Sequence, residues 1–152
     1  MEVTKAIDVT VPPETIWPFM SEPEKILEWY IPLQKFDYTS GKRNEVGAPF
    51  YFEEKTTGGI IKLNCVVTEW DKNKQFAFKM SSGNMLKTYQ ERWTVEAISS
   101  GSRFTFMEQG ELGLGIIGKI IGTLAERGSA AKIDKMLAKL KSLAEGKSRI
   151  KR

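Results

Sequence analysis

Three residues in this chain join acid–base chemistry to an apolar setting: Tyr89, Glu91 and Glu108. Tyr89 and Glu91 alternate with Trp93 and Val95, and Glu108 alternates with Phe104 and Phe106. In an extended strand every second side chain points to the same side, so each glutamate shares a face with aromatic rings. A carboxylate buried without a partner is costly. An inward Glu therefore pairs, takes up a proton or touches a polar ligand. Two carboxyls close together push one pKa upward and form an acid–base pair, for which Tyr89 is a hydrogen-bonding partner. The plainer reading leaves each glutamate hydrated near an open rim. The two segments form a hairpin centred near Gly101. Counted out from that turn, positions 91 and 108 are not directly opposite, and a bulge would be needed to align them.

The rest of the composition narrows the chemistry. There is no histidine, so Ser-His-Asp triads, Cys-His pairs and the usual His or Cys zinc sites are excluded. Acid–base work falls to Glu, Asp, Lys or Tyr. The single cysteine, Cys65, allows no internal disulfide and reads as a packed core thiol in phase with Leu63 and Val67. No Gly-Lys-Ser/Thr follows a strand, so a phosphate loop is not expected. No metal site and no cofactor is expected. Arg43, with Lys42 and Asn44, reads as a solvated turn.

The elements that must position these residues are legible from period and punctuation. Residues 2–11 alternate as a strand, ended by Pro12-Pro13. Two short helices follow, each with a proline in its first turn. Ser21 is the expected cap of the second, with Glu24 in the capping-box position. Strands are expected over residues 34–39, 49–56, 60–70, 75–81, 85–98 and 103–111, joined by Gly, Asn and Ser turns as an antiparallel meander. A helix is expected over residues 114–144, with two apolar stripes that do not share one face: Ile117, Ile121, Leu124 and Gly128, then Ile133, Leu137, Leu140 and Ala144. One sheet cannot receive both from a straight rod, so a bend is expected near Gly128-Ser129. The Gly118–Gly122 spacing fits close packing of helix on sheet. Lys132, Lys135, Lys139 and Lys141 read as a solvated face.

A curved sheet lined with rings and covered by a glycine-rich lid (Gly113, Gly115, Gly118, Gly122) would be a hollow apolar cup. Its expected lining is Trp29, Phe50, Phe52, Leu63, Cys65, Val67, Phe76, Phe78, Met80, Tyr89, Glu91, Trp93, Phe104, Phe106 and Glu108, with Ile117, Ile121 and Leu124 from the lid. Trp29 and Tyr30 would gate its mouth. The competing reading is that the same rings fill a solid core.

At 152 residues, 41% hydrophobic and 28% charged, the chain suits one globular domain, expected over residues 1–146. Residues 147–152 form a basic tail, expected to be frayed and solvated. The net charge of +4 sits partly in that tail, without the aromatic mixture that single-stranded nucleic acid needs, so no nucleic-acid partner is expected. No apolar run is long enough to span a bilayer and the first ten residues lack a signal-peptide core, which makes the cytoplasm the default expectation.

The order of elements carries a resemblance. Val11-Pro12-Pro13-Glu14-Thr15-Ile16-Trp17, Trp29, the Val46-Gly47 step, Val67-Thr68-Glu69-Trp70-Asp71 and Gly101-Ser102-Arg103-Phe104-Thr105 together resemble the START-like, or SRPBCC, superfamily, closest to its polyketide cyclase/dehydrase-like branch. The resemblance implies an α+β helix-grip fold: a seven-stranded antiparallel sheet around the last helix, with a ligand cavity between them. It does not imply one activity, since members include lipid carriers, metabolite binders, ring cyclases and chaperone activators. The leading expectation is a non-covalent binder or carrier of a small hydrophobic ligand, lipid-like or aromatic. Second comes a cofactor-free cyclase or dehydratase working through Glu91, Glu108 or Tyr89. Third comes a chaperone-activator-like interaction module. The oligomeric state is left open.

Overall fold

The computed structural model describes residues 1–113 and 115–150, with side chains over 1–113 and 128–146. The chain runs β1 (Glu2–Val9), α1 (Pro13–Ser21), α2 (Pro23–Trp29), β2 (Leu33–Tyr38), β3 (Pro49–Thr56), β4 (Gly59–Asp71), β5 (Gln75–Gly83), β6 (Leu86–Ile98), β7 (Gly101–Leu112) and α3 (Gly115–Ile150). The seven strands make one antiparallel sheet in the order β1-β7-β6-β5-β4-β3-β2. The first strand joins the last, so the sheet curls into a half-barrel around α3, an α+β helix-grip fold. No helix among the described residues is long and apolar enough to cross a membrane.

The local reasons are mostly those in the sequence. Pro13 and Pro23 open α1 and α2, where a missing N–H is harmless. The cap of α2 is a correction: Glu22 holds that position, and the Ser21 hydroxyl instead donates back to the Trp17 carbonyl at 2.9 Å. That i to i−4 bond is the usual alternative use of a helical serine. The β6–β7 turn is also displaced from its expected centre. Ile98 pairs with Gly101, so Ser99-Ser100 is the turn and Gly101 is the first residue of β7. Gly101 has φ +143°, and a Cβ there would lie 2.2 Å from the Val9 carbonyl oxygen. Only glycine fits where β7 begins beneath the end of β1.

Helix α3 runs without interruption through Gly128 and Ser129. Gly128 is exposed, off the stripe assigned to it; Ile117, Ile121, Leu124 and most of the glycine-rich lid lie outside the described side chains. The second stripe packs as expected: Ile133, Leu137, Leu140 and Ala144 are buried, and Met136 joins them. Polar ties hold this half of α3 against β1. The Thr10 amide donates to Glu145 Oε2 at 2.8 Å, and Lys141 Nζ donates to the Asp8 carbonyl at 3.0 Å.

The sheet is not continuous along its length. The β5–β6 ladder covers only Gln75–Lys79 against Thr94–Gln90. Beyond it, β5 stays with β4 and the start of β6 stays with β7. A cleft of about 590 Å³ lies in this split, lined by Met1, Lys79, Met80, Lys87, Tyr89 and Gly110 among others.

Candidate functional site

The aromatic faces of β3, β5, β6 and β7 converge as alternation requires, and their rings are buried against one another. Trp29, Tyr30, Trp93, Phe104 and Phe106 are 0% exposed, and Phe50, Phe52, Phe76 and Phe78 are 1% exposed. A ring bordering a void wide enough for water would show more surface than this. The rings instead contact one another. Phe36 stacks on Phe50 at 4.2 Å, Phe50 meets Phe78 edge-on at 5.1 Å, Phe76 meets Trp93 at 5.1 Å, and Trp93 stacks on Phe106 at 5.8 Å. Such pairs add specific attraction to the burial of their area. Leu63, Cys65 and Val67 are buried beside them. The expectation that these rings wall a hollow is therefore corrected: this half of the cup is solid. Met80, by contrast, is half-buried and faces the split between β5 and β6.

The gate formed by Trp29 and Tyr30 is corrected as well. Trp29 lies inside the ring cluster, 5.1 Å from Trp93, and its indole N–H donates to the Phe19 carbonyl at 2.7 Å. Tyr30 caps α2 and points inward, between Phe52 and Phe106.

At one side of this core the inner surface turns polar. Glu91 and Glu108 are direct register partners across β6 and β7, and they are 1% and 2% exposed. Both the hydrated-rim reading and the offset register are overturned. The turn at Ser99-Ser100 places 91 opposite 108 with no bulge between them and the turn. Glu91 Oε1 accepts from the Trp93 indole at 2.9 Å. Glu91 Oε2 accepts from the Tyr30 hydroxyl at 2.6 Å and is also bonded to the Tyr89 hydroxyl. Tyr89 lies 2.7 Å from Glu108 Oε1.

Three members of the cluster are not among the sequence candidates for it. Glu54, on β3, is 3% exposed; it alternates with Phe50 and Phe52, so its inward direction is readable. Tyr30 is expected as a gate. Lys132 is expected on a solvated face, yet its side chain is 23% exposed and its Nζ reaches Glu54 Oε2 at 3.3 Å and Glu108 Oε1 at 3.4 Å. Lys135 and Lys139 are exposed, as expected. β3 and β7 are separated by three strands in the sheet, so Lys132 bridges the cup from wall to wall. This contact exists only because the sheet curls, which no local pattern encodes.

The protonation follows from counting protons. Tyr89 has one hydroxyl proton and two carboxyl neighbours. It donates to one, and the other contact is a hydrogen bond only if that carboxyl carries a proton itself. Burial, followed by the charges of Glu108 and Glu54, pushes the Glu91 pKa up to about 8. Glu91 is then the neutral acid at pH 7. It donates to the Tyr89 oxygen, and Tyr89 donates to Glu108. Burial likewise raises the Glu54 pKa, with Lys132 pulling the other way. For Lys132, burial works against the charge, but Glu54, Glu108 and Glu91 outweigh it and the pKa is raised. Tyr30 and Tyr89 are held protonated by burial, and next by Glu54 and Glu108 respectively.

Two oxygens remain over. Glu54 Oε1 and Glu108 Oε2 are buried with no hydrogen-bond partner among the described residues. Each such group withheld from water costs about 1–3 kcal/mol. The described residues contain no group of three or more His, Cys, Asp or Glu side chains arranged to hold a metal ion. Elsewhere, Cys65 is 2% exposed; burial, with the Glu91 charge adding to it, pushes its thiol pKa far up. Arg43 lies over the Tyr38 ring at 5.4 Å in its exposed loop.

A curled antiparallel sheet gripping a C-terminal helix is the START-like fold. The chain belongs to the polyketide cyclase / dehydrase and lipid transport family, whose model matches residues 1–145. Its fold is similar to TTHA0849 from Thermus thermophilus, with TM-score 0.81 and 17% identity over 97% of this chain and 99% of that one. It is also similar to a START superfamily protein from Mycobacterium smegmatis, with TM-score 0.73 and 16% identity over 95% and 97%. MLL2253 from Mesorhizobium loti gives TM-score 0.68 and 19% identity over 94% and 96%. None of the curated proteins matches the sequence. The family supports a hydrophobic-ligand-binding role at the level of the family.

Proposed function

We propose that this protein binds or carries a small, largely apolar molecule, lipid-like or aromatic, whose polar end meets the Glu54–Glu91–Glu108–Lys132 cluster. One observation carries the reading. Six polar side chains (Tyr30, Glu54, Tyr89, Glu91, Glu108 and Lys132), from β3, β6, β7, the end of α2 and α3, meet inside a cup whose ring-lined part is apolar. A fold gains little from such burial, since well-packed apolar residues in the same places are as stable or more so. A binding site gains orientation and selectivity. The solid aromatic half then serves as scaffold, and burial of the ligand's apolar body supplies the affinity, at roughly 25 cal/mol per Å². The cleft in the β5–β6 split supports a way in, because Tyr89 lines it and also bonds Glu108.

Native mass spectrometry of the purified protein, with Trp fluorescence and melting temperature followed against a panel of lipids and aromatic polyketides, tests the proposal. A co-purified small molecule or a saturable shift supports it, and no response across the panel counts against it.

A second reading is favoured by the Tyr89 bridge. A neutral Glu91 hydrogen-bonded through Tyr89 to Glu108 is arranged as a proton donor beside an acceptor, which suits a cofactor-free cyclase or dehydratase. Under that reading, Glu91→Gln and Glu108→Gln abolish turnover while ligand affinity survives. The interaction-module reading draws on the solid aromatic half, but it has no use for the buried cluster.

A further inference from the structure

The polar cluster carries information about the ligand's own polar end, given the binding role proposed above. Its charges do not balance. Among the described residues Glu54 and Glu108 share a single cation, Lys132, which reaches one oxygen of each. Glu91, the neutral acid, adds no charge, and its two oxygens are occupied by Trp93, Tyr30 and Tyr89. Both oxygens left without a partner, Glu54 Oε1 and Glu108 Oε2, belong to the carboxylates that Lys132 bridges, and both are acceptors. Among the described residues this site thus has unmet acceptors, two carboxylates to one cation and no spare donor: Lys132 is engaged, and the Tyr30, Tyr89 and Trp93 donors are all directed at Glu91 or Glu108.

From this we infer that the ligand presents a non-anionic hydrogen-bond donor to these oxygens, a hydroxyl to one of them or an ammonium to both, and that carboxylate-ended and phosphate-ended lipids are rejected. An ammonium has protons for both orphan oxygens and a hydroxyl for one of them. A carboxylate brings two further acceptors into a wall of acceptors, and like charges brought together away from water repel strongly. The chemistry selected is that of a phenol, an alcohol or an amine on an apolar body. Fatty-acid anions fall outside it, although their tails are equally apolar.

The test is a matched set of probes on one apolar body: 2-naphthol, 2-naphthylmethylamine and 2-naphthoate, with dodecanol, dodecylamine and dodecanoate as the acyl counterpart. Affinities are measured at pH 7 by calorimetry and Trp fluorescence on the full chain. The naphthol or the amine is expected to bind about tenfold or more tightly than the carboxylate of the same body. A hydroxyl preference and an ammonium preference both support the inference, and their ratio tells the two donors apart. In Glu54→Gln and Glu108→Gln the discrimination against the carboxylate is expected to shrink; the wild-type ranking stands alone should a variant not fold. A carboxylate that binds as tightly as its matched donor, while the set binds at all, overturns this inference and leaves the carrier proposal standing. No binding by any of the six overturns both.

Discussion

The inner surface of the half-barrel has two halves that are buried alike and built unlike. Around Trp93, Phe106, Phe76 and Phe50, fully buried rings pack against one another. Around Glu91, Glu108 and Glu54, the same pleat delivers carboxylates, tied by tyrosines and one lysine and left with two unpaired oxygens. The strands do not distinguish the halves: Trp93 and Glu91 are neighbours on one face of β6, and Phe106 and Glu108 on one face of β7. Two residues further along a strand is enough to pass from scaffold to site. The ring cluster holds the wall rigid, and the carboxylates borrow that rigidity, with Trp93 belonging to both through its ring and its N–H.

The contrast can be broken from either side. The largest effect is expected in the aromatic half. Phe106→Ala removes a fully buried ring in contact with Tyr30 and Trp93 and should cost about 3–5 kcal/mol in denaturant unfolding. A loss under about 1 kcal/mol would mean that the rings are not close-packed. Next is Lys132→Met, which leaves Glu54 and Glu108 buried without their cation. It should cost about 2–3 kcal/mol, part of which Glu54→Gln in the same chain should restore. Equal stability of Lys132→Met and wild type would place the lysine outside the cluster's energetics.

A smaller, graded effect comes from pH. The Glu91 carboxyl titrates at about 8 in the folded chain, against an ordinary value of 4.5. Between these values the folded state holds a proton that the unfolded chain has released. The stabilisation is complete below 4.5 and is lost as pH rises towards 8. The raised Glu54 pKa acts in the same direction. Stability should therefore fall with rising pH across this window by at most about 1.4 kcal/mol per unit for each of the two groups. Glu91→Gln, neutral at every pH, should flatten most of that slope in thermal melts; an unchanged slope would assign it to other groups. The smallest effect belongs to the outer face, where Arg92 Nε lies 2.7 Å from Glu69 with both side chains partly exposed. A double-mutant cycle on that pair should give about 0.2–1 kcal/mol, weakened by salt, far below the buried lysine.

How much of this could be read from the chain alone differs between the halves. Alternation places Phe50, Phe76, Trp93 and Phe106 on the inner face, because side-chain direction in a strand is local. The same rule carries Glu91 and Glu108 inward and would have carried Glu54. Whether the rings enclose a void is not legible, since that depends on how tightly the sheet curls and how residues from distant strands interlock. The Glu91–Glu108 pairing is missed by a shift of the turn from Gly101 to Ser99-Ser100, because register is set by the turn residues. Lys132 is misplaced for a different reason. It borders the buried stripe beginning at Ile133, and a long side chain at such a border goes to water or inward according to what lies opposite. Here that is a pair of carboxylates on strands far apart in the sheet.

Cys65 sits under the ring cluster, opposite Phe50 on β3 and Met80 on β5. Its sulfur is shielded from reagents and held as the unreactive thiol, and the chain has no second cysteine to compete for label. Alkylation of this protein should thus report on the opening of the barrel itself. The native sequence carries a one-atom clock for how often its innermost layer meets solvent, and a tightly held guest should slow it.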